Sequence, residues 1–370
     1  MLIYFFVIML LKNSLLFVSV FFLINIHVCG QQKTENVILI TLDGLRWQEL
    51  FQGADPDIIG RKKDVDDVKE TRARFWDNDP KVRRSMLFPF IWSTIAVEGQ
   101  IYGNRELGNK VNVINRYWFS YPGYNELLTG ASDKRIRSNA RIRNPNQTIL
   151  EFVNKQNDFK DKVAAFASWD VFHYIINSRA GIHINAGNDT VRSQRLSQRE
   201  AYLNHLQQSS PSPWKATRFD KFTHQYALDY LKKNSPKLML IAYGETDEFA
   251  HMGKYDAYLE SARNTDEFIR EIWNYVQTDE TYRDKTTLII TTDHGRGAGK
   301  RSWKSHGIGR SGSNHTWIMV LGPDSQALGE VKDKQIYYNS QLARTIAAFL
   351  NLNFRDSSTA GDAIATALAR

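Results

Sequence analysis

The chain of 370 residues contains a single cysteine, Cys29, and that residue lies in an apolar leading segment. Once the segment is removed, no disulfide can form and no thiolate is left for a metal, so stability must come from the core. Any metal would then be held by Asp, His and hydroxyl groups. There is no internal repeat and no low-complexity tract, and long apolar runs are confined to the leader. With 42% apolar and 24% charged residues, the chain is neither disordered nor membrane-embedded throughout. One domain with a large core is expected.

The leader runs from Met1 to about Gly30 and is broken by Lys12-Asn13-Ser14, after which Leu15 to Ile26 forms an apolar stretch of signal-peptide length. It reads as a secretory signal. An internal start at Met9 would give a more ordinary arrangement. Val28 and Gly30 supply small residues at −3 and −1 for cleavage before Gln31, so an exported, periplasmic or secreted product is expected. Lipidation of Cys29 and retention as a membrane anchor are the alternatives, and membrane contact is expected only through them. The leader carries Lys12 and no acid, so the formal charge of +8 becomes +7 on its removal. That excess favours anionic partners without identifying one.

Strand-like runs alternate with helical patterns along the rest, as in a mostly parallel sheet flanked by helices on both faces. The expected strands are 36–43, QIYGN, VNVIN, KVAAFA ending near Ser168, LMLIAY, TTLII and WIMVLG. Residues 31–370 are read as a single α/β domain. A charged stretch near 52–84 and a polar stretch near 185–221, with no obvious strand, read as insertions. Three carboxylates follow three of the strands: Asp43 closes NVILITLD, Asp247 follows KLMLIAYGE, and Asp293 precedes His294 in IITTDHGRG. The C-terminal edge of a parallel sheet is where such folds gather their chemistry. His251 lies four residues after Asp247, which puts both side chains on one face of a helical turn, about 5–6 Å apart at Cβ. Gly253 then fits the exit from that turn. Carboxylates and imidazoles without thiolates suit zinc in an open site, with manganese as the alternative, whereas magnesium favours oxygen throughout.

A candidate nucleophile lies in FSYPGYNELLTG. Pro122 belongs in the first turn of a helix that Gly130 ends, so Ser120 is expected at the helix start, either as an ordinary N-cap or facing an anion that the N–H groups and dipole favour. A metal-free serine hydrolase would need a Gly-x-Ser-x-Gly elbow, and Phe119-Ser120-Tyr121 does not supply one.

The order of these motifs, over roughly Asn36 to Leu350, resembles the alkaline phosphatase superfamily, nearest its nucleotide pyrophosphatase/phosphodiesterase branch. The resemblance implies a three-layer sandwich and a two-metal hydrolase of small anionic phosphate esters. By position, Asp43, Ser120, Asp293 and His294 would hold one ion. Asp247, His251 and a last histidine would hold the other. In SNHTWIMVLG, His315 stands before a late strand and is the match; His306 in WKSHGIG is the fallback. Ser120 would attack phosphorus to give a phosphoserine that water hydrolyses. The resemblance also points to Asn139, in IRSN, as a phosphate-binding group, and Arg141 could act as a guanidinium clamp.

The chain departs from related patterns in several places. Tyr124 stands where a sulfatase needs the Arg of its maturation signal, which argues against sulfatase activity. Ser-Tyr-Pro-Gly replaces the branch's usual Thr-Phe-Pro-Asn, leaving monoesters and diesters both open. The 185–221 interval is too short for the cap domain of a mutase. A sulfatase-like or phosphonate-ester hydrolase and a non-catalytic metal-binding protein of the same fold are the alternatives. The run KRIRSNARIR, with five Lys or Arg residues, would either steer anions or form a solvated face. Nothing argues for a specific nucleic-acid partner.

Overall fold

In the computed structural model, β1 (Asn36–Leu42) lies at the centre of the main sheet and is buried along its whole length. The structure describes residues 32–177, 181–354 and 361–368. The leader, with Cys29 and the expected cleavage point before Gln31, falls outside them. Among the described residues no helix is long and apolar enough to cross a membrane.

The remaining strands are β2 (Gln100–Tyr102), β3 (Lys110–Asn112), β4 (Val163–Ala167), β5 (His183–Ala186), β6 (Leu238–Tyr243), β7 (Thr286–Thr291), β8 (His315–Thr316), β9 (Ile318–Leu321), β10 (Gly329–Glu330) and β11 (Ile336–Tyr338). Eight of them form one sheet in the order β10-β2-β9-β7-β1-β6-β4-β5, and β11-β3-β8 form a second, small sheet. Pairing in the large sheet is parallel except on both sides of β9. The expected mostly parallel sheet is therefore present.

Neighbouring residues of each central strand face opposite layers. Ile38, Ile40 and Leu42 join one core with Met239, Ile241 and Tyr243 of β6. Val37 and Leu39 join the other with Leu238, Leu240 and Ala242. Both faces must be covered, which is why the strands read as unbroken apolar runs rather than alternating ones.

The helices that matter here are α1 (Ser120–Thr129), α2 (Gln198–Ser209), α3 (Asp220–Asn234), α4 (Glu245–Met252), α5 (Tyr255–Thr278) and α6 (Leu342–Phe349). The first core takes Phe222, Tyr226 and Leu231 of α3 and Tyr258, Leu259, Ile269 and Ile272 of α5. The second takes Tyr124, Leu127 and Leu128 of α1 and Leu342 and Ile346 of α6. The result is a three-layer α/β sandwich.

Two local expectations change. The polar stretch near 185–221 is not strandless, because Asn185 and Ala186 complete β5 at the sheet edge and α2 follows. A four-residue strand flanked by polar residues carries too little apolar periodicity to be read from sequence. VNVIN does supply a strand, but β3 pairs with β8 and β11 in the small sheet instead of extending the large one.

Candidate active site

Register sets the site. Thr41 of β1 lies opposite Ala242 of β6 and Thr291 of β7, so Asp43, the start of α4 and the Asp293-His294 pair leave the sheet together. Asp43 N donates to Tyr243 O at 3.0 Å, and Thr246 Oγ1 donates to Asp43 O at 2.6 Å. Gly44 turns the chain with φ of 61°, and its N–H donates to Asp293 Oδ1 at 3.2 Å. A Cβ there would lie 2.8 Å from Asp247 Oδ1 and 3.2 Å from His294 Cε1. Only glycine leaves that space to the functional side chains.

Ser120 arrives from the other layer. It is the first residue of α1, with Phe119 as the extended residue before it and no side-chain cap. Its hydroxyl is thus not consumed as a cap, and Oγ lies 3.3 Å from His294 Nε2. Close approach of α1 depends on Gly123, where a Cβ would stand 2.4 Å from Asp293 O. Pro122 has no N–H, and the Tyr121 N–H is taken by Asn139 Oδ1 at 3.0 Å. The backbone cradle expected at this helix start therefore reduces to the Ser120 amide. Gly130 ends the helix with φ of 78°.

Two groups of side chains could each hold a cation: Asp43, Asp293 and His294, and Asp247, His294 and His306. In the first, His294 Nε2 lies 3.4 Å from Asp43 Oδ1 and 3.5 Å from Asp293 Oδ2, beside Ser120 Oγ. Ligand atoms about 2.0–2.2 Å from one tetrahedral ion stand roughly 3.3–3.6 Å from each other, and the three distances from His294 Nε2 match that spacing. Asp43 Oδ1 and Asp293 Oδ2 are buried with no hydrogen-bond partner, which is costly unless a cation faces them. His294 Nδ1 donates to Gly295 O at 2.8 Å, which leaves Nε2 as a ligand.

Against the second group stands His251, which α4 carries on the same face as Asp247, with His251 Nε2 3.1 Å from Asp247 Oδ2. His306 Nε2 lies 3.0 Å from His251 Nε2 and 3.5 Å from Asp247 Oδ1. Its Nδ1 donates to Trp118 O at 3.2 Å, again leaving Nε2 as the inward atom.

Electrostatics follow from this crowding. Burial, then the neighbouring carboxylates, push Asp43 and Asp293 above the usual carboxylate range. Burial alone would lower His294, but Asp293 and Asp43 outweigh it and raise the imidazole to about 9. Burial and the adjacent His294 hold His306 well below its ordinary value. Asp247 is held far down: burial opposes ionisation, but Arg296, His306 and His251 outweigh it.

The structure thus brings together Asp43, Ser120, Asp247, His251, Asp293 and His294. It does not bring in His315, which joins neither group and, unlike His251, makes no ring contact with a member of either. His315 pairs with Asn112 in the small sheet, where burial and the charges of Arg105 and Lys110 lower its pKa to about 4. Its backbone, not its ring, meets the Asp-His-Gly turn, since a Cβ on Gly295 would stand 2.3 Å from His315 O. The fallback His306 occupies the position instead. Asn139 lies beside the start of α1, its Oδ1 accepting from the Tyr121 amide. Arg141 does not clamp the centre; it pairs with Asp170.

Several residues here carry no sequence motif. Arg296, fully buried, pairs with Asp247 and donates to Trp303 O at 2.7 Å and Lys304 O at 2.6 Å, so one guanidinium joins α4 to the loop bearing His306. Lys304 also pairs with the buried Asp64, which Arg61 contacts at 3.0 Å. Glu126 of α1 accepts from Asn115 N and Nδ2, each at 2.8 Å. Asn115 Oδ1 in turn accepts from Trp118 N at 3.0 Å, and Trp118 adopts φ of 54°. The helix that begins at Ser120 and the carbonyl that orients His306 are therefore parts of one hydrogen-bonded chain. The Gly-Arg after Asp-His was the one visible hint.

The sequence model described as Type I phosphodiesterase / nucleotide pyrophosphatase matches residues 55–335. A curated 2,3-bisphosphoglycerate-independent phosphoglycerate mutase from Gracilaria tenuistipitata var. liui is 35% identical over 69 residues, 19% of this chain and only 12% of the mutase. The wild-type alkaline phosphatase PafA superposes with a TM-score of 0.60 at 10% identity, over 92% of this chain and 100% of that one. The phosphonate monoester hydrolase SpPMH from Silicibacter pomeroyi gives 0.56 at 14%, over 90% and 76%. These likenesses show the alkaline phosphatase-like fold. With the family match spanning well over half of its length, the chain belongs to the type I phosphodiesterase / nucleotide pyrophosphatase family.

Proposed function

We propose that the chain is an exported hydrolase of phosphate esters, diesters or monoesters, with Ser120 as its nucleophile. Asp43, Asp293, His294 and Ser120 would hold one divalent cation and Asp247, His251 and His306 a second, with zinc the first choice and manganese the alternative. The observation that carries this reading is Ser120 Oγ at 3.3 Å from His294 Nε2, beside two buried carboxylate oxygens that have no hydrogen-bond partner. Bound cations would supply positive charge that lowers the serine pKa and offsets charge on the phosphoryl oxygens.

The chain's own groups do the rest. Gly123 and Gly44 let the serine and the carboxylates approach, so Oγ is positioned before substrate arrives. The amide of Asn139 uses its oxygen on Tyr121, which leaves its Nδ2 hydrogens as donors to a phosphoryl oxygen beside Ser120. A bond forms from Oγ to phosphorus as the bond to the leaving alcohol breaks, and water later replaces Ser120 at phosphorus. Seating the phosphoryl group at preorganised donors supplies most of the acceleration in such transfers.

The test is metal content by mass spectrometry together with turnover of p-nitrophenyl phosphate, bis-p-nitrophenyl phosphate, a p-nitrophenyl phosphonate and p-nitrophenyl sulfate. The expected result is two equivalents of metal and hydrolysis of a phosphorus ester that chelation abolishes and Ser120→Ala lowers by at least about a thousandfold. A metal-free protein whose turnover survives Ser120→Ala would refute the reading. The apolar Leu15–Ile26 stretch supports export, and a secreted product starting at Gln31 would bear that out.

A further inference from the structure

The basic run Lys134–Arg143 is placed beside the nucleophile. At its centre Asn139 Oδ1 accepts from the amide of Tyr121, the residue after Ser120. Farther on, the hydroxyl of the same tyrosine lies 2.6 Å from Ile142 O and 3.0 Å from Tyr174 O, and Asn144 N donates to Tyr174 O at 2.9 Å. The stretch from Asn139 to Asn144 is therefore fixed at several points, two of them on Tyr121 of α1, one at its amide and one at its hydroxyl.

Arg141 and Arg143 are held at the rim of a recess of about 460 Å³ that Asp170, His173 and Tyr174 complete. Arg141 pairs with Asp170, their side chains 52% and 30% exposed. His173 is engaged elsewhere, its Nε2 2.7 Å from Asp189 Oδ2. Among the described residues no acid lies within ion-pairing distance of Arg143, so the charged groups lining the recess are two guanidiniums and one carboxylate, with Asp189 held behind it on His173. An exposed pair such as Arg141–Asp170 contributes only about 0–1 kcal/mol to stability, so folding alone gives little account of the arrangement. Two residues of extended chain span at most about 7 Å, which sets Arg141 within reach of a substrate whose phosphoryl group lies at Asn139.

We propose that this recess is a subsite for a second anionic group of the substrate, an oxyanion carried on the same molecule beyond the phosphoryl group that Ser120 attacks. The inference rests on the reading of Ser120 as nucleophile and deepens it by naming a substrate class. A planar guanidinium presents paired N–H donors that match a carboxylate, sulfonate or phosphate, and Asp170 steadies Arg141 from one side.

The experiment compares p-nitrophenyl phosphodiesters of 3-hydroxypropanoate, 1-propanol and choline, which differ in the charge of the distal group. The expected order of kcat/KM is anion over neutral over cation. The anion should gain about tenfold, the scale of one charge-assisted hydrogen bond, carried mainly by KM and shrinking as sodium chloride is raised. Arg141→Ala/Arg143→Ala should bring the anion-to-neutral ratio to about one, with the double lysine variant retaining part of it. Sulfonate and phosphate analogues then show which oxyanion fits best. Equal turnover of the three esters by the wild type, or a preference that survives the double alanine variant, would overturn the subsite. Turnover of none of them, with every phosphorus ester inert, would instead remove the Ser120 reading and the subsite with it.

Discussion

Replacing His306 and His315 in turn is the sharpest test of the second cation site. His306 Nε2 stands 3.0 Å from His251 Nε2 and 3.5 Å from Asp247 Oδ1, whereas the His315 ring lies beside Arg105 and Lys110. Four-ligand structural zinc sites bind with about 10–16 kcal/mol, or roughly 2.5–4 kcal/mol per ligand if shared evenly. Losing one ligand should therefore weaken binding by about two to three powers of ten. The assay is zinc content by mass spectrometry after dialysis against a weak chelator, with calorimetric titration of the stripped protein. Wild type and His315→Ala should keep two equivalents, and His306→Ala should keep one. The measurement does not depend on knowing a substrate. Full retention by His306→Ala, or loss of an equivalent in His315→Ala, would refute the assignment.

Two further outcomes follow from the support around the centre. Gly123→Ala places a methyl 2.4 Å from Asp293 O; overpacking of that kind costs about 1–3 kcal/mol, so denaturant unfolding should show that loss, with turnover falling further because Ser120 moves away from His294. Burial raises Glu126 to about 7 from an ordinary 4.5 despite its N–H donors, so its contribution is complete below pH 4.5 and is lost as pH rises through 7. That is about 3 kcal/mol at roughly 1.4 kcal/mol per unit; Glu126→Gln should flatten the stability profile between pH 4.5 and 7, and an unchanged slope would contradict the raised value.

What could be read in the sequence was whatever had a period or a punctuation mark. The central strands are apolar without alternation because both faces are covered, and each announces its end with a carboxylate. Asp247 and His251 were legible because a helix brings residues four apart onto one side. Pro122 and Gly130 bracketed α1 and set Ser120 at its start. The last histidine was not legible, because its position depends on an irregular loop and on which sheet takes the neighbouring strand. His315 precedes a late strand as expected, yet pairing with Asn112 in the small sheet turns its ring elsewhere. His306 is placed by Trp118 O, 188 residues away, and by a loop that the buried Arg296 braces through Trp303 O and Lys304 O, and neither contact leaves a motif in the sequence. β5 was missed for want of length.

The ion pairs of Asp64 with Lys304 and Arg61 bear on how this enzyme can be trimmed or altered. The charged stretch between the first strand and α1 looks dispensable on a sequence map, but its buried carboxylate is an anchor point for the loop that presents His306. A minimal version that discards the stretch would release that loop and would also strip Ile58, Ile59 and Phe75 from the core that covers one face of the sheet. The firmness with which His306 is held can accordingly be changed from a carboxylate more than 200 residues away in sequence, with no change at His306 itself.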